Sequence, residues 1–181
     1  RAAPRKKARM CSREHSPLSS RRMWEADPST MIARAERLRA EGRYEDAIAA
    51  FEEAMAHFPM LRAYRFVVAE LCFELQRYPQ AANIFADLVR NEPQHVQAWA
   101  GLGRAAYLLG DEQNAILAFE RAIGLSPDWA EPLYEAALIY ASRGDHLLAE
   151  DRLRRALARD PKLIQTADED GLLGRYPGAG A

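Results

Sequence analysis

The side chains best suited to catalysis or metal binding are few and widely spaced in this 181-residue chain. Its four histidines lie at positions 15, 57, 95 and 146, so no two have the spacing of three or four residues by which one helix presents two metal ligands. The two cysteines, Cys11 and Cys72, are too few for a disulfide framework, which favours a reducing compartment and a cytoplasmic location. Neither shares a recurring spacing with a histidine or an acid. We therefore expect no catalytic residue, no metal site and no cofactor.

Two short motifs resemble ligand-binding loops but lack the surrounding elements that those loops need. Gly101-Leu102-Gly103, followed by Ala106, matches part of the G-x-G-x-x-G/A loop that binds dinucleotides, which must follow a strand and open a helix. Here the motif falls inside a predicted helix. Residues 168–171, Asp-Glu-Asp-Gly, match the start of a calcium loop without its flanking helices or its bidentate glutamate. We interpret the two as a helix interior and a solvated acidic turn, and we expect a protein that is not an enzyme.

A constant step of 34 residues organises most of the chain. Prolines recur at positions 59, 93, 127 and 161, and the same step aligns alanines at 47, 81, 115 and 149. It also aligns Phe51, Phe85, Phe119 and Leu153. The sequence therefore predicts four tandem units at 28–61, 62–95, 96–129 and 130–163, followed by a short cap and a flexible Gly/Ala tail over 164–181.

Each unit has the pattern of two amphipathic helices separated by a turn. In the third unit we predict helices over 96–109 and 112–123, broken at Gly110. Glycines occupy the same place in units one and four, where the end of a helix often needs a left-handed residue. Gln76 stands there in unit two, so we expect that turn to be less regular. Small residues on the first helix allow a close approach, and the large residue of the second helix fills the space beside them.

The third unit also carries the residues of a known repeat pattern. Trp99, Leu102 and Gly103 match W-x2-L-G, and Ala115, Phe119, Ala122 and Pro127 match the A-x3-F segment and the late proline. On these residues the chain resembles the tetratricopeptide repeat (TPR) family over about three quarters of its length. The resemblance implies an all-α fold, a right-handed α-α superhelix or TPR solenoid of four helix-turn-helix repeats plus a short C-terminal capping helix.

The resemblance also implies a concave binding groove lined by the first helix of each repeat. An alternative for Phe66 and Tyr134 is that they pack between neighbouring first helices. The family's groove positions fall on an aromatic and acidic set in this chain: Ile32, Glu36, Arg39, Phe66, Glu70, Phe73, Glu74, Gln97, Ala100, Arg104, Tyr107, Glu131, Tyr134 and Leu138.

The groove positions lack the carboxylate clamp of the heat-shock co-chaperones in this family. Val67 and Gly101 stand where that clamp has asparagine, and Glu36 and Glu70 occupy places that would face the ligand. Because these glutamates repel an acidic tail, we expect a protein or peptide ligand with apolar anchors and neutral or basic flanks.

The charge is distributed unevenly. Residues 1–22 carry about +7, whereas the rest of the chain is near −8. We expect residues 1–27 to be a basic disordered leader. Its composition resembles that of an organellar transit peptide or of a nucleic-acid-binding or nuclear-targeting tail, but we favour a non-functional extension or fragment edge, because Met10 or Met23 could each serve as a start.

The leading functional hypothesis is a non-enzymatic scaffold or adaptor that binds other proteins. Two alternatives stay open: a type III secretion-like chaperone for an apolar cargo protein, and the repeat region of a larger protein or enzyme. We expect no membrane association, nucleic-acid binding only through the leader, and weak self-association through a last repeat whose cap looks short. The richness in alanine, arginine and leucine suggests a bacterial source.

Overall fold

The computed structural model describes residues 27–180, and the expectations for the leader lie outside them apart from residue 27. This part of the chain holds no strand and ten α-helices. In chain order these are α1 (Pro28–Ala40), α2 (Tyr44–His57), α3 (Arg65–Glu74), α4 (Tyr78–Asn91), α5 (Val96–Leu108), α6 (Glu112–Leu125), α7 (Ala130–Arg143), α8 (His146–Arg159), α9 (Leu163–Glu169) and α10 (Leu172–Arg175).

The first eight helices form four antiparallel pairs, and each pair packs on the next. The predicted all-α solenoid is therefore confirmed. The second pair departs from the others because Pro59–Tyr64 forms a 3-10 helix, and α3 begins only at Arg65.

The turn inside each pair has the same geometry in all four copies. Gly42, Gly110 and Gly144 have φ of 74°, 80° and 79°, and Gln76 has φ of 57°. The Gln76 amide donates to Phe73 O at 2.8 Å, as the Gly110 amide donates to Tyr107 O at 2.9 Å. The expectation of a less regular second turn is therefore wrong, since the backbone hydrogen bonds hold glutamine in the left-handed conformation that glycine adopts more easily.

The recurring aromatic of the second helix is buried against small residues of the first helices. Phe51, Phe85, Phe119 and Leu153 are all buried. A Cβ atom on Gly101 would lie 2.5 Å from Phe85 Cζ, and one on Gly103 would lie 2.8 Å from Phe119 Cε1. The two glycines of the dinucleotide-like motif are therefore the places where rings touch the α5 backbone.

Buried side chains form two hydrophobic clusters along the array. One cluster runs from Ala35 to Ala98 and the other from Ala106 to Ala179. The boundary falls within α5, the helix that carries both packing glycines.

The chain after the fourth pair folds back over that pair. Leu172 and Tyr176 are buried, the Tyr176 hydroxyl lies 2.8 Å from His146 Nδ1, and Arg175 donates to Ala141 O at 3.4 Å. Pro177–Ala179 forms a 3-10 turn against α8, with Ala179 only 3% exposed. Residues 177–179 therefore differ from the flexible tail that composition suggested, because the small side chains fit closely on α8.

Truncation of Phe119 tests the register of the repeat. Phe119→Ala removes a fully buried ring from the contact between α5 and α6, so we expect the free energy of unfolding to fall by about 3 to 5 kcal/mol. Thermal and urea unfolding measure the change. Leu147→Ala, on α8 and 87% exposed, is the control and should cost far less. Equal effects of the two substitutions would contradict this packing.

The close approach at Gly101 can be tested separately. Gly101→Ala places a methyl group against the Phe85 ring, which Phe66 holds from another side with ring centroids 5.8 Å apart. We expect a loss of about 1 to 3 kcal/mol from overpacking. Gly124→Ala on α6 is the matched control, because nothing lies within 4 Å of its added Cβ. It should stabilise the protein by about 0.5 to 1 kcal/mol through helix propensity.

Candidate functional site

The first helices α1, α3, α5 and α7 form one side of the array, here called the concave face. A cleft of about 330 Å³ opens in it between α1, α3 and α5. Its floor is largely apolar and its edges are charged. The lining residues are Arg39, Tyr44, Val67, Glu70, Leu71, Phe73, Glu74, Phe85 and Arg104.

Arg104 is held in place by contacts on both sides. Its guanidinium carbon lies 5.4 Å from the centre of the Phe73 ring, a cation–π distance, and its Nη1 lies 3.4 Å from Glu131 Oε1. Phe73 itself packs edge-on against Tyr78 with ring centroids 5.2 Å apart. Arg104 therefore lies between two acidic regions of the concave face. Its Nε is buried, and the Nε–H is a hydrogen-bond donor without an acceptor among the described residues.

The acidic region beside α3 is not neutralised. Arg39 pairs with Glu36 at 3.0 Å, whereas neither Glu70 nor Glu74 forms an ion pair within residues 27–180. Burial raises the pKa of Glu70, the nearby charges of Arg104 and Arg39 oppose that rise, and the negative charge of Glu74 adds to it. A ligand cation placed here would relieve an unfavourable desolvated charge.

A second acidic region lies beyond Arg104 on α7. Burial raises the pKa of the half-buried Glu135, the negative charges of Glu131 and Asp170 add to this rise, and Arg104 opposes it. Arg104 is thus the cation that acts on both Glu70 and Glu135. The charges on the concave face alternate from α1 to α7, with carboxylates in excess.

The structure brings together only part of the predicted groove. Five predicted residues line the cleft, namely Arg39, Glu70, Phe73, Glu74 and Arg104. Glu36 and Glu131 join them through their ion pairs with the two arginines. Gln97 and Tyr107 are exposed on α5 outside the cleft.

The remaining predicted groove residues pack between helices. Phe66 stacks on His95 with ring centroids 5.1 Å apart, and Ile32 and Leu138 are half-buried against the two core clusters. Ala100 is buried. The contacts of Phe66 with Phe85 and His95 agree with the alternative that this residue packs between helices.

Tyr134 requires a correction. Its side chain is 6% exposed, and its hydroxyl donates to the Asp170 carboxylate that follows α9. Burial, followed by the hydrogen bond to Asp170, raises the pKa of this hydroxyl. Tyr134 is therefore a core residue, because the chain beyond the fourth pair covers the place where a groove residue would be open.

Sequence reasoning missed the cleft residues that lie outside the first-helix positions of the family groove. Tyr44 and Phe85 come from second helices and Leu71 from the inward side of α3, whereas Val67 stands at the place where the clamp has asparagine. The recurring place of Phe85 marked it as core, and its ring forms part of the cleft floor as well. Tyr78 is the equivalent of Tyr44 in unit two, but Glu112 and His146 stand at that place in units three and four, so the repeat gives no aromatic signal there.

The described residues hold neither a candidate metal site nor a candidate membrane span. No group of three or more histidine, cysteine, aspartate or glutamate side chains there could hold a metal ion. Between residues 27 and 180, no helix combines the length and apolar character needed to cross a bilayer.

Comparison with known proteins gives one family match and several relatives. The family model described as tetratricopeptide repeat matches residues 32–88 and 73–129, which together cover more than half of the chain. The chain is 33% identical over 97 residues to the formate-dependent nitrite reductase complex subunit NrfG of Escherichia coli O157:H7, covering 51% of this chain and 48% of that one. It is 26% identical over 129 residues to the general transcriptional corepressor trfA of Dictyostelium discoideum, covering 70% of this chain and 9% of that one.

Solved structures of MamA proteins share the fold. One matches with a TM-score of 0.74 at 22% identity, covering 86% of this chain and 85% of that one. MamA residues 41 to the end from Desulfovibrio magneticus RS-1 match with a TM-score of 0.68 at 20% identity, covering 85% and 91%. At these identities the likeness concerns the fold alone. The present chain spans less than half the length of the curated relatives named above.

The raised pKa of Glu135 leads to a pH-dependent prediction. The pKa of Glu135 is higher in the folded protein than in the unfolded chain, so protonation of this carboxyl favours the folded state. This contribution to stability is complete below the unfolded pKa of about 4.3, and it is lost as the pH rises through the folded pKa. Glu135→Gln should therefore raise the Tm at pH 7, and the difference from wild type should shrink as the pH falls toward 4.

Scanning calorimetry from pH 4 to 8 would measure that difference. Glu52→Gln, at an exposed place on α2, is the control and should move the Tm little at any pH. If Glu135→Gln gave the same Tm as wild type throughout the range, burial of that carboxyl would carry no cost.

Proposed function

Because the chain belongs to the tetratricopeptide repeat family, we propose that it is a non-enzymatic scaffold or adaptor that binds a segment of another protein in its concave cleft. The bound segment places an apolar side chain on the floor of the cleft and carries neutral or basic flanks. The observation that supports this most directly is the pair Glu70 and Glu74, which edge an apolar cleft without an ion-pair partner in the described chain.

The apolar floor gives the cleft an anchor site. Phe73, Val67 and Leu71 line it, and apolar side chains gain most from burial where the walls already exclude water. A volume of about 330 Å³ suits one or two apolar side chains of a peptide better than a folded partner.

The charges favour basic over acidic flanks. Both arginines of the cleft already have a carboxylate within ion-pair distance, Glu36 for Arg39 and Glu131 for Arg104. A cationic ligand group beside Glu70 and Glu74 gains their attraction, whereas an acidic group meets like charge. Arg104 Nε is buried and lacks a hydrogen-bond partner among the described residues, so a backbone carbonyl of the segment reaches it only if the Arg104 side chain moves.

One alternative function keeps independent support. The curated relatives match this chain over a small share of their length, 9% for the corepressor and 16% for the peroxisomal targeting signal receptor of Kluyveromyces lactis. This supports the proposal that the array acts as the binding module of a larger protein. A chaperone for apolar cargo has less support, because the concave cleft carries charges along its edges. A cytoplasmic location remains part of the proposal.

A peptide array tests the ligand chemistry directly. Peptides with one central leucine, phenylalanine or tryptophan and flanks of lysine, serine or glutamate are probed with the labelled protein. We expect the lysine-flanked peptides to bind best, with binding that weakens as salt rises. Preference for glutamate flanks, or equal binding of all three sets, would contradict the proposal.

A charge reversal then locates the binding site. Glu70→Lys combined with Glu74→Lys should weaken binding of the preferred peptide at least about tenfold in fluorescence anisotropy. Glu52→Lys, an exposed glutamate on a second helix, is the matched control and should leave binding unchanged apart from its small effect on net charge. If the control weakened binding as much as the double variant, the concave cleft would not be the site.

A further inference from the structure

The second helices α2, α4, α6 and α8 form the opposite side of the array, here called the second-helix face. Between neighbours on this face lie three gaps, α2/α4, α4/α6 and α6/α8, with a first helix at the bottom of each. Because the repeat length is 34 residues, equivalent positions in the three gaps can be compared directly. The gaps are filled very differently.

Each of the two outer gaps is crossed by a side-chain link. In the gap α6/α8, Arg152 forms two hydrogen bonds with Glu120, at 2.9 and 3.1 Å, and Tyr140 donates to the same carboxylate at 3.2 Å. In the gap α2/α4, Arg77, the residue before α4, pairs with Glu45 of α2 at 3.2 Å, and a smaller cleft of about 490 Å³ remains beside this link. Each outer gap thus has a charged link from one element to the next.

The central gap α4/α6 is open. Alanines stand at all three positions that Glu120, Tyr140 and Arg152 occupy in the next gap. The result is a cleft of about 780 Å³, larger than the cleft on the concave face. Its apolar lining is provided by Ala82, Ala86, Trp99, Leu102, Ala106, Leu109, Leu117 and Ala118.

One edge of this cleft is an exposed face of α6. Asp111, Asn114, Leu117 and Arg121 follow one another at steps of three, three and four residues, so they share a side of the helix. Leu117 is 62% exposed there, an uncommon place for a large apolar residue next to an open apolar cleft. Leu109, on the same edge, is also exposed.

We propose that a second copy of this chain occupies the central cleft, in a twofold dimer in which α6 packs antiparallel to its counterpart. In such an interface the same patch serves both copies and must be self-complementary. The central cleft and its α6 edge are self-complementary, because they hold both the protruding leucines and the alanine-lined space that would receive them.

The charges on the edge of the cleft satisfy the same symmetry. Asp111 and Arg121 are ten residues apart, about 15 Å along the helix, and Leu117 lies close to the midpoint between them. A twofold axis near Leu117 therefore brings Asp111 of each copy opposite Arg121 of the other. Arg121 forms no ion pair within the described chain, and hydrogen bonds from Asn114 lower the pKa of Asp111 and keep it charged.

An unrelated partner fits this patch less well. The edge of the cleft carries one acid, Asp111, and one base, Arg121, so it has no net charge to attract a basic or an acidic protein. The same two charges are complementary to those of a second copy related by a twofold axis. The dimer does not depend on the function proposed for the concave cleft, because it uses none of the residues that line that cleft. It leaves both concave clefts free.

Sedimentation equilibrium of the full chain over a concentration series tests the dimer. We expect a reversible monomer–dimer equilibrium in wild type, and a dissociation constant raised at least about tenfold by Leu117→Asp. The triple variant Ala86→Glu, Ala106→Tyr, Ala118→Arg, which fills the cleft as the neighbouring gap is filled, should also be monomeric. Circular dichroism checks that each variant is folded. A wild type that stays monomeric throughout would overturn the proposal.

Cysteine cross-linking tests the position of the axis. In a Cys11→Ser background, Leu117→Cys should form a disulfide-linked dimer under mild oxidation, because the two Leu117 residues meet at the axis. Leu147→Cys, at an 87% exposed residue on α8 away from the cleft, is the matched control and should not cross-link above the level of chance collisions. Equal cross-linking of the two, or dimers unaffected by Leu117→Asp, would also overturn the proposal.

Discussion

The contact between one large side chain of a second helix and small residues of the first helices determines how every pair packs. The rings of Phe85 and Phe119 lie so close to α5 that glycine is the residue that fits opposite them. Each pair buries little surface alone, so the array is stable because neighbouring pairs share these contacts. Clefts lie on both sides of this packed layer, one among the first helices and others between the second helices.

The surface side chains then distinguish one part of this scaffold from another. On the concave face, Arg104 is positioned by Phe73 and Glu131, and its charge acts on carboxylates on both sides. The fourth pair contributes little open surface there, because Tyr134 is covered by the chain around Asp170. The open cleft of the concave face therefore lies among α1, α3 and α5. The position of the cleft follows from how the C-terminal segment folds as much as from the repeats themselves.

Periodicity was sufficient to predict the helices, their pairing and the buried aromatics, because those features recur and each copy supports the others. Periodicity gave wrong or incomplete predictions for residues whose role has no equivalent in the other repeats. The left-handed Gln76 depends on turn hydrogen bonds rather than on residue type. Tyr134 occupies a groove position but lies under a segment that has no repeat equivalent, and Tyr44 enters the cleft from a second helix. Ion pairs that cross from one copy to the next, such as Arg152 with Glu120, need coordinates, since their partners are 32 residues apart.

The uneven closure of the three gaps also has a mechanical meaning. Charged links cross between neighbouring second helices at both ends of the array, and the central gap has alanines where the last gap has its link. The boundary between the two hydrophobic clusters falls in the same repeat. Bending that widens the central gap therefore breaks no described ion pair between second helices, whereas the same motion at either end breaks one. Because α5 borders both this gap and the concave cleft, which Arg104 lines, a change of curvature at α5 also changes the width of the concave cleft.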